Sequence, residues 1–223
     1  MEVTQNLENY IAKYKNENIW EMFETKHYIF RYFKNSVAEY EIEHISTTQE
    51  KAYKHITKTL EIKEDLRKIQ YYIYPSEKDK EILMGYDGFA QAIWHDNSIH
   101  IVYTKDIKPI GPHEDTHLLS LPWGPSIGFF QEGLAEYMVG HAWDGKPHSH
   151  YVKEGYEKGM FPTLSEFMRH EAWLETKDEH AIYFYSLAGA FVDFLVSTYS
   201  RQKFEEFYKQ TKREQFTEQN RNI

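Results

Sequence analysis

Apolar and polar residues recur with two different periods along the chain, and the period changes near residue 108. In the first half, runs of aromatic and β-branched residues predict short strands. These runs cover 27–33, 69–74, 89–94 and 98–103, and the last two form a predicted hairpin across 95–97. Between Val37 and Leu60, apolar residues return every three or four positions, which predicts one long helix with a buried face. A short helix is expected at 5–16.

From about Lys108 onward the pattern is helical. The predicted helices cover 112–121, 126–140, 164–173, 181–199 and 202–212. Gly145 and Pro147 predict a long loop over Trp143–Lys153. Strands followed by helices indicate an α+β fold, with a small mixed or antiparallel sheet and a long helix before a mostly helical half. We expect one domain over 1–223, with a sheet-bearing lobe at about 1–106 and a helical lobe at about 107–223.

Composition excludes several classes of partner and site. With 26 Lys+Arg against 35 Asp+Glu, the net charge of −9 argues against nucleic acid and anionic membranes. The absence of Cys leaves His and carboxylates as the ligands for a transition metal. We find no signal peptide in the first twenty residues and no membrane span of roughly 18 apolar residues. A cytoplasmic location is the default expectation, with secretion if a leader has been removed, and the oligomeric state stays open.

The segment Gly111–His117 carries His113, Glu114 and His117 in the spacing H-E-x-x-H, a pattern typical of metal sites. Helix positions four apart lie roughly 5–6 Å from each other at Cβ, so both imidazoles can reach one ion. Glu114 is rotated by about 100° from His113 and can reach a water on that ion as a general base. Because Pro112 belongs in a first helical turn, we expect the helix to start late or to kink there.

A catalytic zinc takes three protein ligands and keeps one position open. The helical segment Phe129–Tyr137 carries Glu132 and Glu136 on one face. We predict that Glu132, the nearer carboxylate, is the third ligand. Glu136 lies one turn further and is predicted to accept the free ring N–H of His113 or His117. The Pro- and Gly-rich stretch at 120–126 allows the chain to turn back between the two segments.

The pairing of H-E-x-x-H with a downstream E-G-x-A resembles the gluzincins, zinc metallopeptidases that include aminopeptidase-N-like, thermolysin-like and small peptidase MA-like proteins. The motif resemblance covers about 111–140, with a weaker similarity in the early strand, helix and hairpin order and at Tyr185–Leu195. It implies a zincin-like fold that holds one Zn²⁺ and hydrolyses peptide bonds, with His113, His117 and Glu132 as ligands and Glu114 as catalytic base. A metzincin is excluded, because Ser120 and Trp123 stand where that motif needs Gly and His.

In such a mechanism Glu114 takes a proton from a zinc-activated water, which attacks a peptide carbonyl. The oxyanion needs a second donor, for which the resemblance favours Tyr185, with Tyr183 and His180 in reserve. Tyr185 is equally well explained as a core aromatic residue. The aminopeptidases bind a free amine with a G-x-M-E-N strand, but Gly88–Ala92 has no Glu. We therefore expect an endopeptidase that adds a peptide or protein substrate to the sheet edge.

Other interpretations stay open. A catalytically inactive zincin-like module could capture peptides in the same groove, and a zinc ion could serve the fold alone. In a metal-free helical scaffold, His113 and His117 would be ordinary helix residues. The predicted loop has its own histidines, which could form an auxiliary metal or substrate site but are better explained as solvent-exposed: His141, His148 and His150.

Overall fold

The structure is a computed structural model, and it describes residues 19–64, 67–86, 88–167, 173 and 178–211. The helix predicted at 5–16 lies outside these residues. The described chain has an α+β fold, as the sequence predicts. It divides into two compact units, the first over Met1–Lys58 and Lys63–Leu118 and the second over Thr59–Ile62 and Leu119–Ile223.

The first unit contains a five-stranded mixed sheet within the described residues. Its strands are β1 (Trp20–Glu24), β2 (Tyr28–Phe33), β3 (Ile69–Tyr74), β4 (Ala90–Ile93) and β5 (Ser98–Val102). The order is β1-β2-β3-β5-β4, with parallel pairing among β2, β3 and β5 and antiparallel pairing of β1 and β4 at the two edges. The predicted strand at 69–74 and the predicted hairpin are confirmed, whereas β1 was not predicted.

Alternate residues of the central strands form the core of this unit. Seven of these side chains are at most 2 % exposed: Tyr28, Phe30, Ile69, Tyr71, Ile73, Ile99 and Ile101. The long helix α1 (Val37–Leu60) has the predicted bounds, and the apolar residues of its stripe are buried. The Tyr28 hydroxyl oxygen lies 3.1 Å from the carbonyl oxygen of Gln49, a contact that ties β2 to α1.

Two further helices belong to the first unit. Helix α2 (Glu77–Met84), which was not predicted, starts at Ser76, whose hydroxyl accepts a hydrogen bond from the Asp79 N–H. Helix α3 (Pro112–Leu119) carries the H-E-x-x-H motif. The division between the two units falls at its last residue.

The second unit is helical in the part that the structure describes. Its helices are α4 (Gly128–Val139), α5 (His148–Glu157), α6 (Leu164–Phe167), α7 (Ala181–Tyr199) and α8 (Arg201–Gln210). Helix α7 packs against α4 and α5. Gly133 allows α4 to approach α7 closely, since a Cβ at this position would lie 2.7 Å from the carbonyl oxygen of Ala188.

The predicted helix at 181–199 is confirmed with its bounds, and α4 and α8 lie within two residues of theirs. Part of the helix predicted at 164–173 falls outside the described residues. The long loop predicted over Trp143–Lys153 is wrong in its second half, because α5 begins at His148, directly after Pro147. Pro147 ends the turn, and α5 starts at the next residue.

By length and composition alone, α7 could cross a membrane: its most apolar window has a mean hydropathy of 1.4 and is 28 % buried. The sequence predicted this helix but no membrane span within it. Core helices of water-soluble proteins meet the same criterion, so the helix is weak evidence for a span. The absence of a membrane span therefore stays a prediction.

Candidate metal centre

The motif-bearing helix α3 begins at Pro112 itself, which agrees with the late start expected from the proline. A proline costs little there, because the first helical N–H has no partner within the helix. Gly111 directly before it has a φ of +123°, in the region that favours glycine. The Gln49 amide holds this residue twice, accepting from the Gly111 N–H over 2.6 Å and donating to its carbonyl over 3.2 Å.

His113 and His117 lie one turn apart on α3, with ring centroids 5.1 Å apart and ring planes at 81°. Both side chains and that of Glu114 are half-buried, so solvent and a ligand can reach them. Thr116, between them in the chain, is buried and donates its hydroxyl to the Pro112 carbonyl over 2.6 Å. The helix thus leaves His113, Glu114 and His117 partly accessible and buries the residues between them.

Glu132 lies in the second turn of α4 and is half-buried. The ligand atoms that His113, His117 and Glu132 offer all lie within 4.8 Å of one another. Among the described residues, no other group of three or more potential ligands meets this criterion. Two imidazole nitrogens with one carboxylate oxygen form a donor set that catalytic zinc uses. The three predicted ligands therefore come together, and their chemistry fits zinc.

Asp115, within the motif, is completely buried and supports α3 from its inner side. Its carboxylate accepts a hydrogen bond from the hydroxyl of Tyr28 and one from the Gln49 amide over 2.6 Å. Burial raises the pKa of Asp115 to about 8, and the charge of Glu114 adds to the rise, whereas the hydrogen bonds oppose it. Sequence reasoning missed this residue, because the motif leaves its position undefined.

Glu136, the predicted acceptor for a ligand imidazole, is only 5 % exposed. The structure brings His148 next to it: the Nε2 atom lies 3.7 Å from the Glu136 carboxylate and 3.1 Å from the Glu136 carbonyl oxygen. The predicted role of Glu136 toward His113 or His117 stays a prediction. The neighbour that the sequence did not anticipate is His148.

The solvent exposure expected for these three histidines is wrong for His148. His141 and His150 are exposed, as predicted, but His148 is 8 % exposed and opens α5. Helical spacing could have found it, because the buried residues of α5 are His148, Tyr151 and Gly155, three and four positions apart. The assumed loop hid this pattern.

Tyr185, the predicted oxyanion donor, is half-buried on α7. Its ring lies between two tryptophans, with centroids 5.9 Å from Trp143 and 5.1 Å from Trp173. The hydroxyl of Tyr183, a reserve candidate, donates to Glu154 over 3.2 Å. The role of Tyr185 stays a prediction, and the bond to Glu154 makes Tyr183 a weaker donor for a substrate.

His180, the other reserve candidate, stacks on Phe184 with ring centroids 6.5 Å apart. Its Nε2 atom lies 3.7 Å from the Glu179 carboxylate, in an exposed part of the chain. Neither contact points to a role in acyl chemistry, so Tyr185 is kept as the donor to test.

The edge strand expected from Gly88–Ala92 corresponds to β4, which pairs with β5 and forms one edge of the sheet. Phe89, directly before it, is 51 % exposed. An edge strand presents backbone N–H and C=O groups that can pair with an extended chain.

No protein-family model matches the chain, and no curated protein is detectably similar to it.

Proposed function

We propose that this protein is a zinc-dependent peptidase of the gluzincin type, which hydrolyses peptide bonds with water. The observation that carries the proposal is the convergence of the ligand atoms of His113, His117 and Glu132 to within 4.8 Å. Glu114 follows the first of these ligands directly in the chain. A carboxylate next to three metal ligands is the arrangement that metal-assisted hydrolysis requires.

Each side chain has a separate role in this proposal. His113, His117 and Glu132 would hold the ion. Bound zinc would supply Lewis acidity, which lowers the pKa of a bound water toward neutrality. Glu114 accepts the proton that the attacking water loses and returns it to the leaving amine. Tyr185 donates its hydroxyl hydrogen to the developing oxyanion.

The proposed substrate is an extended peptide or a locally unfolded protein. Strand β4 lies at the sheet edge and can accept such a chain through backbone hydrogen bonds. Gly88–Ala92 lacks a glutamate to bind a free amino terminus, which favours an endopeptidase over an aminopeptidase. The net charge of −9 disfavours nucleic acid as a partner.

A catalytically inactive peptide-binding module is the second candidate, because the same edge strand and metal ligands would serve it. The peptidase needs Glu114 as a general base, whereas the binding module does not. A Glu114→Gln substitution keeps the size of the side chain but removes the proton acceptor, so it leaves binding intact and stops hydrolysis.

The test compares wild type, Glu114→Gln and the control Glu81→Gln, which changes an exposed glutamate on α2. Zinc-loaded samples are incubated with a general peptide mixture and with an unfolded protein, and the products are identified by mass spectrometry. We expect wild type and Glu81→Gln to cleave equally, and Glu114→Gln to lose roughly 10²–10⁴-fold in kcat at unchanged zinc content. A zinc-loaded wild type that cleaves nothing but binds peptides would support the binding module instead.

A further inference from the structure

The carboxylate of Glu136 is buried on α4, one turn after the predicted ligand Glu132. A buried carboxyl group is stable only among polar neighbours. His148 is one of these neighbours, with its Nε2 atom 3.7 Å from the Glu136 carboxylate. This contact joins α4 to the first residue of α5.

The imidazole of His148 is held at both ring nitrogens. Its Nε2 atom lies 3.1 Å from the carbonyl oxygen of Glu136, and its Nδ1 atom lies 3.4 Å from the Ser186 hydroxyl. Because a carbonyl oxygen can only accept, Nε2 carries a proton and donates to it, while Nδ1 pairs with the Ser186 hydroxyl. His148 and Ser186 are 8 % and 1 % exposed. These two contacts fix the orientation of the ring.

The contact between His148 and Glu136 acts at the end of α4. The Glu136 carbonyl also accepts from the Gly140 N–H over 2.8 Å, and Gly140 ends the helix with a φ of +80°. Carbonyl groups in a last helical turn carry partial negative charge. His148 supplies a second donor there, so it holds the backbone of Glu136 and faces its side chain.

At the position of α7 that faces this pair, the packing leaves room only for a glycine, Gly189. A Cβ atom at Gly189 would lie 2.7 Å from the Cβ of Glu136 and 3.1 Å from Nε2 of His148. Close packing of this kind restricts the alternative rotamers of both side chains. Glu136 is thus confined between α7 and the imidazole.

We propose that His148 is a positioning residue for the metal centre, an inference that rests on the proposed function. It fixes the backbone of Glu136 at the turn that follows Glu132, and so helps to place the carboxylate that is predicted to orient a ligand imidazole. Removal of a residue that orients a metal ligand without binding the metal itself typically weakens metal affinity by 10–100-fold. Loss of the imidazole removes one of the contacts that hold Glu136, and zinc is then expected to bind more weakly although all three ligands remain.

The test measures the zinc dissociation constant by competition with a chromophoric chelator, and separately the urea unfolding of the zinc-free protein. His148→Ala is expected to weaken zinc binding by about tenfold or more. His148→Gln restores an N–H that can reach the Glu136 carbonyl, and is expected to recover most of the affinity. His150→Ala is the matched control, because His150 is exposed on the same helix; its affinity is expected to equal that of wild type.

A purely structural role predicts a different result. His148→Ala would then lower the urea midpoint while the folded protein binds zinc as tightly as wild type, and this outcome overturns the inference. If His148→Ala does not fold, Ser186→Ala is decisive: it removes the partner of Nδ1 and is expected to weaken zinc binding several-fold, whereas unchanged affinity overturns the proposal.

The same measurements separate this inference from the proposed function. A wild type that binds no zinc overturns both. A wild type that binds zinc, with equal affinity in all variants, overturns the role of His148 alone. A wild type that binds zinc but cleaves no peptide contradicts the peptidase and leaves the role of His148 to be judged by the affinities.

Discussion

Tyr28 donates a hydrogen bond from its hydroxyl to the carboxylate of Asp115, which ties strand β2 to the motif-bearing helix α3. Both side chains are completely buried. Asp115 lies between His113 and His117 in the chain, so α3 cannot rotate about its axis without breaking this contact. The two predicted ligands are therefore held in place from the interior of the first unit.

The first prediction concerns this contact. Tyr28→Phe removes the hydroxyl and leaves the buried Asp115 with one donor fewer, so we expect the free energy of unfolding to fall by about 1–3 kcal/mol. Tyr40→Phe is the control, because Tyr40 is 80 % exposed. Urea titration of wild type and both variants measures the effect. Equal midpoints for wild type and Tyr28→Phe would show that the bond does not stabilise α3.

A second prediction concerns acid stability and follows from His100 on β5. This residue is 6 % exposed, and its ring nitrogens contact the Tyr74 hydroxyl at 2.9 Å and the Ser98 hydroxyl at 3.0 Å. Burial lowers the pKa of His100 from 6.5 to about 4, and the charge of Lys80 adds to the effect. Between these values the unfolded chain binds a proton that the folded chain does not. Stability is therefore lost as the pH falls from about 6.5 to about 4.

His100→Gln removes this contribution, which amounts to at most about 1.4 kcal/mol per pH unit in that window. We expect the variant to show a shallower decline of unfolding free energy between pH 6.5 and 4 than wild type. His95→Gln changes a histidine whose side chain is 75 % exposed, and its pH profile is expected to follow wild type. Parallel profiles for wild type and His100→Gln would refute the assignment.

A third prediction tests the contact between α4 and α7. In Gly133→Ala the new methyl group would meet the Ala188 carbonyl oxygen at 2.7 Å and the Val192 side chain at 2.8 Å. Because a backbone atom cannot turn aside, we expect a loss of about 1–3 kcal/mol in unfolding free energy. Thr198→Ala, at an exposed position of α7, serves as control. A Gly133→Ala protein as stable as wild type would mean that the two helices pack less closely than described.

The sequence predicted the elements whose periodicity matches their burial. The helices at Val37–Leu60 and Ala181–Tyr199 and the strand at Ile69–Tyr74 have the predicted bounds. Strand β1 was missed because Glu21 and Glu24 interrupt its apolar residues, as edge strands permit. Helix α2 was missed because its polar residues do not follow the usual pattern: its buried side chains are Asp79 and Lys80.

The candidate site also has one part that the sequence predicted and one part that it did not. The pair His113 and His117 was predictable, since four residues within one helix fix their spacing. The partners of Asp115 were not, because Gln49 and Tyr28 lie 66 and 87 residues away along the chain. No local pattern encodes such contacts, which arise only when the strands and helices have packed.

The most direct test of the account is the zinc content of protein purified without chelator, measured by elemental analysis. We predict one zinc per chain in wild type, and loss of most of it in His113→Ala, His117→Ala and Glu132→Gln. His95→Ala and Glu81→Gln, which change exposed residues, are predicted to keep it. A wild type without zinc, or a His113→Ala variant with undiminished zinc, would contradict the metal centre.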